Sequence, residues 1–376
     1  MARDARDARD AWDHWKATEG QRWRTWWIER HPPEIGAVSW STLFEGGKEI
    51  RPRLLCALWT WFGSEPCCAA GFVIECVHVA TLILDDLPWM DDAAERRGRP
   101  TLHRVFSVRK ALLLAAEVLE MAWQVIQETP WLRRQWESDP DRWRGWAREI
   151  AQGLWRGQWL DLATAATAAT AYERAALKTG VLFEAVAKGV AWAHGWDAVW
   201  WGAWGRTVGV LFQWVDDADD REEDRRTGKP NAWNDDLHGT AERFAAEWRR
   251  VVQGAGGWWR TPFGERLYHY LSRPMGASVT CEPLTSATGL VDLWSSGPIE
   301  TETETATETP TETEGLGIGF LRWFAPLFRR RPMDMAWRLD VSLWDKDETE
   351  WARAIIEQWP DAAPAIQWME RHLSAS

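Results

Sequence analysis

The chain has 376 residues, 45% of them hydrophobic, enough to bury a sizeable core in one large domain or two smaller ones. With 56 acidic against 44 basic residues the formal net charge is −12, which argues against a general nucleic-acid surface and leaves basic residues to act locally. Cys56, Cys67, Cys68, Cys76 and Cys281 are odd in number and match no zinc spacing, so they read as thiols of a reducing, cytoplasmic compartment.

Met1 to Glu19 is charged and has no apolar stretch of the secretory kind. Its Ala-Arg-Asp triplets, Ala2 to Asp10, make residues 1–20 a polar arm, either a charged helix or disordered. From about Trp12 the pattern turns helical, with runs at Leu54–Trp61, Gly71–Leu84, Lys110–Ile126, Trp143–Leu162, Ala171–His194, Ala198–Val215 and Ala241–Val252. These are too long for ordinary strands, and β-type alternation is missing, which predicts an all-α bundle over residues 21–282.

Breakers at Gly46-Gly47, Gly63-Ser64-Glu65-Pro66, Gly98 and Pro100, Pro130, Gly228 and Pro230, and Gly254 to Gly257 give connections suited to antiparallel neighbours. The apolar stretch Val186 to Trp204 is interrupted by Lys188, His194 and Asp197, poor material for a transmembrane segment. Thr301 to Glu314, built from Thr and Glu, cannot bury apolar surface, so a disordered insertion is expected over 283–316. A helical segment is expected over 317–376, packed on the bundle or standing apart from it. Tryptophan occurs 33 times against 3 tyrosines, and this bias, reaching presumed surface positions such as Trp131, Trp136, Trp143 and Trp146, reads as genome composition.

Chemistry concentrates in two acidic clusters, Asp85-Asp86-Leu87-Pro88-Trp89-Met90-Asp91-Asp92 and Asp216-Asp217-Ala218-Asp219-Asp220, each ending an apolar helical run. Such carboxylates repel one another unless cations lie between them, and Mg²⁺ is commonly bound by one or two carboxylates together with substrate phosphates. On the helix before the first cluster, His78 and Thr81 share a face with Asp85. Pro88 should interrupt that helix, and a bulge can then return Asp91 toward Asp85. Asp216 and Asp220 are four apart, one turn after Phe212-Gln213. Alone, each cluster reads equally as a solvated helix end, and His78 as a satisfied core histidine. Gly46-Gly47-Lys48-Glu49-Ile50-Arg51-Pro52, Arg96-Arg97-Gly98-Arg99-Pro100-Thr101, Lys178-Thr179-Gly180 and Gly228-Lys229-Pro230 place cations at turns suited to phosphate.

Taken in order, and with Gly157-Gln158-Trp159-Leu160-Asp161-Leu162 between them, these motifs resemble the trans-isoprenyl diphosphate synthases over about Glu45 to Lys229. The local text around Asp85 is most like that of bacterial-type geranylgeranyl diphosphate synthases. The resemblance implies an all-α homodimer, an isoprenoid-synthase helical bundle around a deep apolar cavity. It implies three Mg²⁺ ions, with Asp85 and Asp91 as ligands of two and Asp216 of the third, and Asp86, Asp217 and Asp220 in support. Arg96, Lys178, Thr179, Gln213 and Lys229 would complete the pocket for an allylic diphosphate (dimethylallyl, geranyl or farnesyl). Lys48, Arg51, His78 and Arg97 would hold isopentenyl diphosphate.

Farnesyl-producing relatives carry an aromatic residue four or five positions before the first aspartate. Here Thr81 and Ala80 stand there, leaving room for a twenty-carbon product. Two departures stand out: the second Gly-Lys pair after Lys229 is missing, and Glu49 replaces a usually basic residue. A catalytically weak regulatory subunit and a class I terpene cyclase are the competing functions. The first would typically lose an acidic motif, and the second needs no second diphosphate site. The role of Gln158 and Asp161, beyond bridging helices near the cavity, stays open.

Overall fold

The structure, a computed structural model, describes residues 8–275 except residues 89, 162–167 and 230. The opening triplets before residue 8, Cys281, the insertion expected over 283–316 and the segment expected over 317–376 lie outside the described residues.

The first helices form a cap on the bundle: α1 (Ala8–Ala17), α2 (Glu19–Arg30), α3 (Pro33–Phe44) and α4 (Ile50–Trp61). Helix α1 extends into the triplet text and docks instead of trailing, because Trp12 is buried to 1% exposure and stacks on Trp15 at 5.1 Å. Its anchor is Glu49. This carboxylate accepts from Trp12 Nε1 at 3.1 Å, Lys16 Nζ at 2.8 Å and Arg53 Nη2 at 3.0 Å. Glu49 stands before α4 with φ +48°, a left-handed conformation that non-glycine residues seldom adopt. The strain, of order 1–3 kcal/mol, persists because three donors converge on one side chain.

Helix α5 (Cys68–Asp85) is apolar nearly all round and packs on α4 and on the later helix α7 (Val108–Glu128). It is long and apolar enough to cross a membrane, but 56% of that window is buried within the bundle, which makes it a core helix. A two-residue ladder follows, β1 (Glu95–Arg96) antiparallel to β2 (Arg99–Pro100). Alternation could not reveal a ladder this short. It rests on positive φ at both Arg97 (+56°) and Gly98 (+71°), the demand of a type I′ turn. Next come α6 (Leu102–Val105), α7 (Val108–Glu128), α8 (Pro130–Ser138) and α9 (Pro140–Asp161). Ser107 caps α7 by accepting from Lys110 N at 3.2 Å.

The run expected over Ala171–His194 is divided into α10 (Ala168–Ala175), a π-helical turn (Ala176–Gly180) and α11 (Val181–Ala193). A π turn inside a helix commonly marks a functional position, and this one carries Lys178-Thr179. Helix α12 (Ala198–Asp219) crosses α11 closely because Gly205 and Gly209 have no side chain: a Cβ at Gly205 would lie 2.5 Å from the Phe183 carbonyl oxygen. Helices α13 (Arg221–Thr227), α14 (Ala232–Asp235), α15 (Leu237–Gly254) and α16 (Pro262–Ser272) close the described fold, with 3₁₀ turns at Gly256–Arg260 and Arg273–Met275. Cys56, Cys68 and Cys76 are buried free thiols and Cys67 is half-buried.

Away from the cavity mouth, His31 and Glu117 form an enclosed pair between the end of α2 and α7, with Nε2 3.4 Å from the carboxylate. Burial pushes the Glu117 carboxyl up to about 7, against the pull of Arg30 and with Glu120 adding to it. Burial likewise holds His31 below its ordinary value. A carboxyl raised in the native state binds its proton there more tightly than in the unfolded chain. Its penalty is therefore nil below the unfolded value of 4.5 and complete above about 7. Glu117→Gln should raise the melting temperature relative to the parent more at pH 8 than at pH 5, checked by thermal denaturation at both. At the cap, Glu49→Ala should lower stability by about 1–3 kcal/mol, since Lys16, Arg53 and the Trp12 indole lose a shared acceptor; a denaturant titration reads this loss.

Candidate active site

Helix α5 delivers the first acidic motif. Asp85 is its last residue, Asp86 its C-cap, and beyond them the Asp91 N–H donates to the Asp85 carbonyl at 2.9 Å. This reversal around Pro88 brings Asp91 back to Asp85, as a straight helix could not. Asp85 is only 5% exposed. Burial pushes its carboxyl up to about 6, although Lys178 and a hydrogen bond from Gln158 pull it down; Asp91 adds to the rise. The Gln158 amide on α9 donates to Asp85 Oδ1, and Lys178 Nζ of the π turn stands 3.6 Å from the same oxygen. Gln158 is thereby placed as a direct support of the first motif; the Asp161 side chain lies outside the described residues. Asp86 is paired with Arg96 of β1 at 2.7 Å.

Of a second group of predicted residues, Arg51, His78 and Arg97 lie close together beside Arg96, while Lys48 stands on the side of the second motif. Arg51 is buried beneath Phe183, whose ring centre is 5.3 Å from the guanidinium carbon. Burial brings it down to about 10, with Arg97 lowering it further and Glu75 opposing, so it stays charged near neutrality. Arg97 lies over Gly47 so closely that a Cβ there would be 2.8 Å from the guanidinium carbon. Burial first, then Arg51, Arg97 and Arg96, hold His78 well below its ordinary value and therefore neutral. Glu75, one turn before His78, is buried within the influence of Arg51 and Arg97: burial raises its carboxyl and the two arginines oppose that rise. The sequence motifs did not single it out.

Helix α12 supplies the second motif. Thr179 of the π turn donates to Gln213 Oε1 at 2.7 Å, and Gln213 Nε2 donates to Asp217 Oδ1 at 2.8 Å. Burial pushes Asp217 up to about 6 despite that bond and one from the Ala232 N–H. Lys48 Nζ reaches Asp216 Oδ1 at 2.6 Å, and the phenol of Tyr270 on α16 donates to the same oxygen. Burial would lower the Lys48 ammonium, but its bonds to Asp216 and Tyr270 prevail and raise it. Arg273 closes on Asp219 at 2.7 Å. Asp220 stands at the N-cap position of α13 without a side-chain capping bond, and Lys229 lies exposed just past that helix, away from the cluster's bonds. Tyr270 and Arg273 were missed in the sequence. No local signal marked them, since each meets its aspartate only where α16 and the turn after it come back to α12.

The donor chemistry suits magnesium. Every carboxylate named is a hard oxygen donor, and Asp85 and Asp217 carry raised values because burial leaves their charge undercompensated. Among the described residues no three His, Cys, Asp or Glu side chains form a ready metal cage. A site of one or two carboxylates completed by phosphate oxygens is the usual magnesium arrangement and needs no such cage.

Below the mouth runs an apolar cavity lined from α5 by Val77, Ala80, Thr81 and Leu84, and from α9 by Ile150, Ala151, Leu154 and Gln158. Its lower end holds Trp59, Trp123, Trp131, Trp136, Trp143 and Trp146. This corrects the expectation for the tryptophans: Trp131, Trp136, Trp143 and Trp146 face the cavity and are half-buried. They were misplaced because α8 and α9 carry exposed charges such as Arg133, Arg134, Arg142 and Arg148, and a charged helix reads as surface until its partner is known.

Residues 32–241 match the polyprenyl synthetase family model, more than half the chain. The geranylgeranyl diphosphate synthase of Cereibacter sphaeroides is 36% identical over 203 residues, covering 51% of this chain and 67% of that protein. The enzyme of the same name from Rhodobacter capsulatus is 32% identical over 198 residues, covering 50% and 65%. A crystal structure of geranyltranstransferase from Thermotoga maritima shares the fold with a TM-score of 0.56 at 23% identity, covering 68% of this chain and 98% of that one. A Helicobacter pylori geranyltransferase complexed with magnesium and isoprenyl diphosphate gives 0.52 at 20% identity, covering 73% and 99%. With both acidic motifs, the cationic cluster and the apolar cavity in one helical bundle, and this match along its length, the chain belongs to the polyprenyl synthetase family.

Proposed function

We propose that this chain condenses isopentenyl diphosphate head-to-tail with an allylic diphosphate, yielding a trans-prenyl diphosphate of twenty carbons, geranylgeranyl diphosphate. The observation carrying this reading is the sharp polarity of the site: acidic and cationic side chains crowd one end of a cavity whose walls are otherwise hydrocarbon and indole. Asp85, Asp91 and Asp216 hold magnesium, with Asp86, Asp217 and Asp220 supporting. Magnesium, when bound, neutralises the charge that develops on the departing pyrophosphate.

The protein's own groups do the rest. Arg96, Lys178, Thr179 and Gln213, which meet the two motifs, orient the allylic diphosphate. Lys48, Arg51, His78 and Arg97 keep isopentenyl diphosphate beside it with its double bond toward the allylic carbon. The apolar walls exclude water from the carbocation, and the proton lost at the end goes to the pyrophosphate oxygen nearest it. Asp216 would be a magnesium ligand, and Lys48, which here bonds to Asp216 and Tyr270, would then turn to the phosphate of isopentenyl diphosphate. We place the enzyme in the cytoplasm as a homodimer, in keeping with its reduced cysteines.

Incorporation of labelled isopentenyl diphosphate by the purified chain tests the reading. Turnover should require Mg²⁺ and vanish with EDTA, and Asp85→Asn and Asp216→Asn should each lower the rate by about 10²-fold or more, the size of loss seen when a preorganised electrostatic group is removed. Absence of turnover with every allylic primer would favour a regulatory subunit, and release of a hydrocarbon would favour a cyclase. Ala80→Tyr should shorten the main product, read by chromatography of the dephosphorylated alcohols.

A further inference from the structure

Three helices measure the cavity from the same starting level. Gln158 and Lys178 both meet Asp85 at the mouth, so α9 and α11 can be counted down from that contact, and α5 from Asp85 itself. The lining stripe of α5 descends from Leu84 to Ala70, that of α9 from Gln158 to Trp143, and that of α11 ends at Val190. At 1.5 Å per residue these depths agree on roughly 18–22 Å, about four turns. One turn is close to the length of an extended isoprene unit, so the tunnel spans four units.

The α9 wall above its lower end is Leu154, Ala151, Ile150 and Ala147, and then comes Trp146. Its ring lies against Gly189, where a Cβ would sit 3.1 Å from Cη2, and meets Trp143 edge-on at 5.1 Å and Trp192 at 5.4 Å. Lys188 stands 5.2 Å from the Trp192 ring centre while binding Glu149 at 3.0 Å, which ties α11 to α9 behind the indoles. Edge-to-face aromatic contacts of this kind fix ring orientation. Below Trp143 the helix ends at Pro140.

We propose that Trp143 and Trp146, braced by Trp192 and Gly189, form the floor that stops chain growth at four isoprene units. This rests on the prenyl-transfer reading above and adds that the limit lies on α9, at the far end of the tunnel, and not on the helix preceding Asp85. The floor is a shelf of indole edges, so its removal lengthens the product without touching the reacting ends of the substrates.

The test is product length with farnesyl diphosphate as primer, isopentenyl diphosphate and Mg²⁺. The parent should stop at twenty carbons, and the double variant Trp143→Ala/Trp146→Ala should shift its main product to twenty-five carbons or more. Because that variant removes two large side chains, Trp143→Phe and Trp146→Phe are measured as well, each keeping an aromatic ring in the slot; a twenty-five-carbon fraction absent from the parent is expected in both. Loss of stability alone slows all products and does not redistribute their lengths. A twenty-carbon limit unchanged in condensing Phe variants overturns the floor while leaving prenyl transfer intact, as does a parent product longer than twenty carbons. A parent inert with every primer overturns both.

Discussion

Negative charge held at low exposure above a hydrocarbon tunnel is the constraint on which this molecule depends. Asp85 is 5% exposed and Asp86 7%, and burying a carboxylate is tolerated only when cations or donors compensate it. The chain supplies partial compensation itself, through Lys178 and Gln158 on Asp85, Arg96 on Asp86, and Lys48 and Tyr270 on Asp216. Asp85 and Asp217 nevertheless sit at about 6 because burial outweighs these partners. That deficit is what a bound cation would offset.

The fold exists to hold that deficit in place. Close approach of α11 and α12 at Gly205 and Gly209 puts the π turn next to Gln213, and the bond chain Thr179–Gln213–Asp217 transmits that placement to the second motif. On the other side, the reversal from Asp85 to Asp91 depends on the backbone bond between them. The first motif is thus positioned by a main-chain bond and the second by a chain of side-chain bonds that starts at the π turn.

Much of this was legible in the sequence. Seven helical runs were marked by periodicity; six have one helix as counterpart, with ends set by caps such as Ser107 that periodicity does not see, and the seventh, Ala171–His194, is divided by the π turn at Ala176–Gly180. The acidic and basic motifs could be read because their chemistry is local: carboxylates or cations at a helix end or turn. What stayed hidden is long-range. Glu75 earns its place only because Arg51 and Arg97 converge on it from other elements, and Tyr270 because α16 folds back over α12. The tryptophans at the tunnel's end were misread for the same reason, since α8 and α9 look amphipathic and exposed until α5, α7 and α11 enclose them.

Glu49 shows how a departure from a family pattern acquires a physical meaning. A basic residue at this turn would add to the positive charge of Lys48, Arg51 and Arg97. An acidic one turned outward instead gathers Trp12, Lys16 and Arg53, and so fastens α1 to the start of α4. Arg51 lies on that same first turn of α4, buried beneath Phe183. The carboxylate that removes one cation from the phosphate cluster thereby stiffens the turn presenting the cations that remain, and the left-handed backbone at Glu49 is held because those three donors share one acceptor.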